Sequence, residues 1–369
     1  MNDACAGCLR RSALIAHLGP RIASLLDRPR RARAREILAL PEADLIAAVA
    51  GQHAGAARAF VERFDPARAA DELERLGLGA VCPHSGRYPI SLGRLGDAPA
   101  VLYLSADDDV LAGLDASAIV CVVGARRASS YAVEVAHELA RGLARAGVTV
   151  VSGLALGVDA AAHRGALAGG GRTIAVLACG VDRPYPRTNR ALYEHVRRRG
   201  AGVSEMPPGH PAFRWSFPAR NRIMAGLSAM TVVVEAGEPS GSLITAEFAL
   251  DLGREVGAVP GWVTSRMAAG SNRLLRDGVS VIRGVEDVLD GLYGAGGGRR
   301  PDATSSSAPA LDASLRRVLD RVEAGEGIEA IGRGAGISAA EARAALGRLE
   351  LMRLVTRDGF GCYQRAVGP

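Results

Sequence analysis

Ile119-Val120-Cys121-Val122-Val123-Gly124-Ala125-Arg126-Arg127-Ala128-Ser129-Ser130 opens the part of the chain that decides its fold. A helical run continues to Gly147. A second apolar strand follows over 148–151, and Gly153-Leu154-Ala155-Leu156-Gly157-Val158-Asp159 leads into a helix carrying His163. The order is strand, tight turn, helix, strand, tight turn, helix. Continuous β-branched runs suit parallel strands buried on both faces. Gly124, Gly153 and Gly157 let the backbone turn sharply and approach a ligand. Each turn feeds a helix N-terminus, where free N–H groups and the dipole favour an anion such as phosphate. Arg126, Arg127 and Ser129 lie in the first turn, where the strand ends of such sheets form a binding crevice.

Outward from this core, apolar runs at 173–177, 202–204, 230–234 and 255–259, with one more at 279–282, alternate with helical patterns. The expected fold is α/β: a Rossmann-like doubly wound sheet over 79–293. Short strands near Val81 and over 99–104 are expected on an edge of it. Residues 1–78 are Ala/Leu/Arg-rich with three- and four-residue apolar spacing, which predicts an N-terminal helical domain with breaks at Gly19-Pro20, Pro41 and Pro66. Residues 294–310 are rich in Gly, Ser and Pro and read as a flexible linker. Residues 311–369 read as three short helices and a hairpin, a winged-helix pattern, with Ser338 and Glu341 placed as a capping box.

The 369 residues are 48% hydrophobic and 23% charged, which fits a folded chain with a sizeable core. No apolar run is long enough to span a bilayer. The polar start of the chain lacks the apolar stretch of a signal peptide, so the expected compartment is the cytoplasm. The net charge is +6, carried entirely by arginine because the chain has no lysine. Any phosphate contact must therefore use a guanidinium fork. Cys5 and Cys8 form a C-x-x-C with no second pair at zinc-finger spacing, so no metal site is expected and a frayed N-terminus is the preferred reading.

Phe213-Arg214-Trp215-Ser216-Phe217-Pro218-Ala219-Arg220-Asn221-Arg222 places three aromatics among three arginines, in a chain only 4% aromatic. Bases stack on aromatic faces while guanidinium groups hold phosphates. A hydrophobic loop packing on the sheet is the plain alternative. Ser240-Gly241-Ser242 with Thr245 offers hydroxyls and N–H groups at another helix start, where capping is the structural alternative. Glu235, at a strand end, is a candidate for a ribose hydroxyl or a neighbouring arginine. Asp159 and His163 stand four apart on one helix face; an Asp balancing the dipole with a local His contact is preferred to a metal or acid–base pair. The nucleotide-triphosphatase P-loop, G-x-S-x-G and H-E-x-x-H are absent, which favours a binding protein without catalytic residues or cofactor.

In combination these runs resemble the DNA-processing protein A (DprA/Smf) family. The matching segments include 122–126, 151–154 with 157–159 and His163, 173–177 with Tyr185-Pro186 and Asn189, 204–207, 217–227, 234–236, 240–247 and 254–261. The resemblance implies a single-stranded DNA-binding protein, without catalysis, that protects incoming DNA in natural transformation. It also implies loading of RecA recombinase and a homodimer formed through the Rossmann-like domain. Carried over by position, Arg126, Gly153, Phe217, Arg220, Asn221 and Arg222 should line the DNA pocket, with Ser240, Gly241 and Ser242 next. Gly124, Ser129 and Gly157 complete the candidate set. Ala125 stands where the family turn usually has Ser, and Leu156 where it usually has Arg. A nucleotide-processing, phosphoribohydrolase-like enzyme is the alternative, with Glu247 as its carboxylate.

Overall fold

The computed structural model describes residues 2–26, 34–106, 116–295, 313–324, 326–351, 354–357 and 363–365. The chain divides into two compact units, 1–299 and 300–369.

The first unit begins with α1 (Ala6–Leu26), α2 (Ala34–Ala39), α3 (Glu42–Ala50), α4 (Ala54–Arg63) and α5 (Pro66–Arg75). β1 (Gly79–Val81), α6 (Ile90–Gly93) and β2 (Leu102–Ser105) follow. Strands and helices then alternate: β3 (Ile119–Val123), α7 (Ser130–Arg145), β4 (Thr149–Ser152), α8 (Val158–Ala168), β5 (Thr173–Leu177), α9 (Arg190–Arg199) and β6 (Ala201–Ser204). The second half continues with α10 (Ser216–Leu227), β7 (Met230–Val233), α11 (Gly241–Asp251), β8 (Glu255–Ala258), α12 (Ala269–Arg276), β9 (Ser280–Val281) and α13 (Val285–Tyr293).

These strands form one sheet in the order β1-β2-β6-β5-β4-β3-β7-β8-β9. From β6 to β9 every pairing is parallel, whereas β1 and β2 add antiparallel at one edge. The strand alternation sorts side chains into two layers. Val120 and Val122 pack with α7 and α8 on one face; Cys121 and Val123 pack with α10 and α11 on the other. The winding direction reverses between β3 and β7, which pair with Val122 opposite Val232. At such a reversal the loops leave in opposite directions and open a crevice beyond the carboxyl ends of the strands.

The N-terminal helices share their core with the sheet region. Leu14, Leu18, Ile22 and Leu45 bury against Met206, Trp215 and Ala219, which is why 1–78 belongs to the same compact unit as the sheet. The break expected at Gly19-Pro20 does not occur: α1 runs through Pro20. Proline removes the N–H that would bond the carbonyl four residues back. Here His210 Nε2 lies 3.3 Å from that Ala16 oxygen, and Trp215 Nε1 donates to Gly19 O at 3.0 Å. The N-terminus is not frayed either, since Asn2 bridges Ala80 and Asp3 N donates to Ala80 O at 2.8 Å.

The second unit holds α14 (Ala313–Glu323), α15 (Ile328–Ala335), α16 (Ala339–Leu351) and an antiparallel pair, β10 (Val355–Arg357) with β11 (Tyr363–Arg365). Leu315, Val318, Ile331, Leu346, Leu349 and Val355 make its core. Ser338 and Glu341 cap α16 reciprocally: Glu341 N donates to Ser338 Oγ at 3.2 Å and Ser338 N donates to Glu341 Oε2 at 2.8 Å. The linker over 296–310, the hairpin turn at Asp358-Gly359 and Cys362 lie outside the described residues.

Candidate functional site

A cleft of about 570 Å³ opens at the reversal point. Its walls come from the β3–α7 turn, the start of α10 and the start of α11.

The first turn is pinned on both sides. Ala125 N donates to Glu235 O at 2.7 Å, and Val158 N donates to Ala125 O at 3.2 Å. Gly157 has φ +75°, and a Cβ on it would strike the Ala125 carbonyl. Only glycine lets α8 begin this close to the turn. Arg126 is thereby held at the cleft mouth, exposed, its guanidinium 5.0 Å from the centroid of the Phe217 ring. That spacing is a cation–π contact. Tyr185 meets Phe217 in an edge-to-face arrangement, at 5.6 Å between ring centroids.

Arg220 enters the cleft wall from α10 and is buried. Its guanidinium lies against Gly153, where any Cβ would overlap it. Nη1 donates to Val176 O, but the buried Nε has no hydrogen-bond partner. Burial pushes its pKa down, while the nearby Asp159 carboxylate opposes that shift. A guanidinium stays charged regardless. Asp159 Oδ2 accepts from Gly153 N at 3.1 Å and Ala155 N at 3.3 Å, so this acid shapes the β4–α8 loop. Within that loop Leu154 has φ +59°, a strained value for leucine. Asn189 Nδ2 holds it by donating to Leu154 O at 2.8 Å.

The α11 start forms the remaining wall. Ser240 caps the helix by accepting from Ser242 N, and the two hydroxyls lie 2.7 Å apart. Asn221 Nδ2 donates to Gly241 O at 3.0 Å and ties α10 to this turn. Thr245 Oγ1 is buried beside the cleft with no partner. Arg126, Arg214 and Arg220 against Asp159 leave the lining basic.

Gly124, Arg126, Phe217, Arg220, Asn221, Ser240, Gly241 and Ser242 thus meet at one cleft. Other expected residues go elsewhere. Arg222 does not reach the cleft. It is 1% exposed and binds Glu205 through Nη1 and Nη2 at 2.8 and 2.7 Å, while its Nε lies 3.0 Å from Asp97 Oδ2. Two residues along a helix turn a side chain through about 200°, so Arg220 and Arg222 cannot share a face. Ser129 caps α7 and donates its hydroxyl to Glu235 at 2.8 Å, so neither residue is left for a ligand. Gly153 lies beneath Arg220 rather than on the lining.

Of the three aromatics, Phe217 alone lines the cleft; Phe213 and Trp215 pack in the core around α1. The hydrogen bonds of His163 and Asp159 go to different partners. Thr173 donates its hydroxyl to Val150 O at 2.8 Å and therefore accepts from His163 Nδ1–H at 2.7 Å. Glu247, the carboxylate named for the enzymatic alternative, is exposed on α11 and off the lining. Arg214 and Thr245, singled out in the sequence but outside the candidate set, join the lining, and Tyr185 and Pro239 are added to it. Tyr185 had a signal in the Tyr-Pro motif, but nothing local shows that it faces Phe217.

The family model described as DNA recombination-mediator protein A matches residues 79–293. This chain belongs to that family, DprA/Smf. A DNA processing protein DprA of Mycobacterium tuberculosis is 37% identical across 95% of this chain and 90% of its own length. The Bacillus subtilis DNA processing protein DprA is 37% identical over 65% of this chain and 80% of its own. Among solved structures, DprA of Streptococcus pneumoniae superposes with a TM-score of 0.61 at 30% identity, covering 76% of this chain and 95% of that one. A DprA of Helicobacter pylori, whose structure was described for its single-stranded DNA binding mode, gives 0.51 at 29% identity over 57% and 98%. The region matched by the DprA/Smf model contains every element that lines the cleft.

Proposed function

We propose that this cleft binds single-stranded DNA and that the protein is a DNA-processing factor rather than an enzyme. The observation that carries the reading is a pair of buried polar atoms left open at the cleft, Arg220 Nε and Thr245 Oγ1, next to the exposed Arg126. A buried polar group without a partner is costly unless a ligand supplies one. Phosphate oxygens accept from guanidinium and from N–H groups at the α11 start. Phe217 and the half-exposed Tyr185 provide ring faces and edges for unpaired bases. Family membership and the ligand described for the Helicobacter pylori relative support the same class of partner.

In this reading Arg126, Phe217, Arg220, Asn221, Ser240, Gly241 and Ser242 meet the strand, while Gly124, Gly153 and Gly157 shape its bed. Ser129 and Arg222 serve the fold. Residues 79–293 act as the Rossmann-like DNA-binding domain and 311–369 as a winged-helix-like module. The protein protects incoming DNA during transformation, hands it to RecA in the cytoplasm, and works as a homodimer.

The test is a salt-titrated comparison of single- and double-stranded DNA of equal length. Single strands should bind more tightly, and log K should fall linearly with log salt as counterions are released. Equal affinity for duplex, or binding indifferent to salt, would sink the reading. RecA filament growth on covered single strands and the mass in light scattering check the loading and dimer statements separately.

A further inference from the structure

Away from the cleft, four ligating side chains from distant parts of the chain converge at the edge of the sheet. Cys5 precedes α1 and Cys8 lies in its first turn, three residues on, so both thiols point to one side. Cys82 and His84 follow β1 directly. The ligating atoms of all four lie within 4.8 Å of one another. We infer that Cys5, Cys8, Cys82 and His84 form a structural zinc site that fastens the N-terminal segment to β1.

The distances carry the inference. Zinc bonds thiolate at about 2.3 Å and imidazole at about 2.0 Å in a tetrahedron, which sets sulfur and nitrogen about 3.6 Å apart. His84 Nδ1 lies 3.5 Å from Cys5 Sγ, 3.4 Å from Cys8 Sγ and 3.8 Å from Cys82 Sγ. Hydrogen bonding does not explain this convergence. One imidazole nitrogen has either a single N–H or a single lone pair in the ring plane. It cannot serve three sulfurs at once, whereas a central cation satisfies all four groups. A disulfide would use two sulfurs and strand the third, and all three cysteines are free thiols.

The surroundings are built to hold the geometry. Cys5 N donates to Cys82 Sγ at 3.4 Å, the kind of contact that stabilises a metal-bound thiolate. Asp3, two residues before Cys5, pairs with Arg87, three residues after His84, at 3.1 Å. Beneath lies a small core of Leu9, Leu73, Leu78, Val101 and Tyr103, which joins α1 and α5 to the β1–β2 edge. The second ligand pair was missed in the sequence because it is a C-x-H separated from the C-x-x-C by the whole helical segment.

The experiment uses the full chain, purified from zinc-supplemented culture without chelator. Elemental analysis should find one zinc per chain, and the Cys5→Ser/Cys8→Ser variant should lose it. Cobalt(II) exchanged into the parent should show the intense visible bands and near-ultraviolet thiolate charge transfer of a tetrahedral sulfur site. That readout needs no variant to fold. Chelation should lower the unfolding midpoint of the parent, because ligand binding to the native state is folding free energy. Metal-free parent protein with a silent cobalt spectrum would overturn the site, as would iron in place of zinc or a Cys5–Cys8 disulfide in the mass spectrum. DNA affinity is not a readout here, so the result stands apart from the cleft.

Discussion

On one side of α10, Arg222 is enclosed by Glu205, Asp97 and the Ala219 carbonyl, with every guanidinium nitrogen engaged. On the other side Arg220 is nearly as buried, yet it has one carbonyl acceptor, an unpaired Nε and an acid that attracts it from beyond hydrogen-bond contact. The helix thus presents two guanidinium groups at similar depth, one saturated and one unfinished. A buried ion pair with all its hydrogen bonds is a structural element, because losing either partner strands a charge. A buried cation with open donors retains binding capacity at some cost to stability. The saturated side joins the sheet unit to the loop at Asp97; the unfinished side faces the cleft.

The largest effect is expected where the pairing is complete. Arg222→Ala leaves Glu205 buried without its cation and Asp97 with Arg35 as its remaining partner, and should cost about 3–5 kcal/mol, read as a lower urea midpoint. An unchanged midpoint would erase the contrast between the two sides.

A second test uses the charge that Arg220 leaves unneutralised. Burial, helped by Arg220 and Arg164, pushes His163 down to about 3 from its usual 6.5. The unfolded chain binds this proton more readily, so stability should fall as pH drops from about 6.5 towards 3. The slope is about 1.4 kcal/mol per pH unit. His163→Gln should flatten that part of the profile. Asp159, raised by burial, works in the opposite sense, so the difference between parent and variant is the quantity to measure. Coincident profiles would show that His163 is not held neutral.

Next in size, Arg220→Gln removes a charged donor from the cleft and should weaken single-stranded DNA binding by about 1.5–3 kcal/mol. Its effect on stability should be smaller than that of Arg222→Ala. Equal losses of stability in the two variants would place both arginines in the same structural role. The smallest change is expected for Phe217→Leu, which keeps apolar volume but loses the ring beneath Arg126. Affinity should fall by about 1 kcal/mol, with the salt slope unchanged; a changed slope would mean that Arg126 had moved off the phosphates.

The α/β alternation, the strands over 119–123 and 173–177 and the glycine turns were legible in the sequence. β-branched runs, helix periods and glycine constraints act over a few residues, and the chain spells them out in order. The basic crevice was legible as well, because Gly124, Arg126 and Ser240 sit at strand and helix ends whatever packs around them. What only the tertiary structure decided was which of two near-neighbour arginines keeps its charge open. That depends on Asp97 and Glu205, remote in sequence and brought to one side of α10 by folding. The same holds for Trp215, drawn into the α1 core by the Gly19 carbonyl, and for Cys82 and His84, set beside Cys5 and Cys8 by the pairing of the N-terminus with β1. Local sequence determines the elements and their ends; partners distant along the chain determine whether a charged or ligating side chain is spent on the fold or left free to bind.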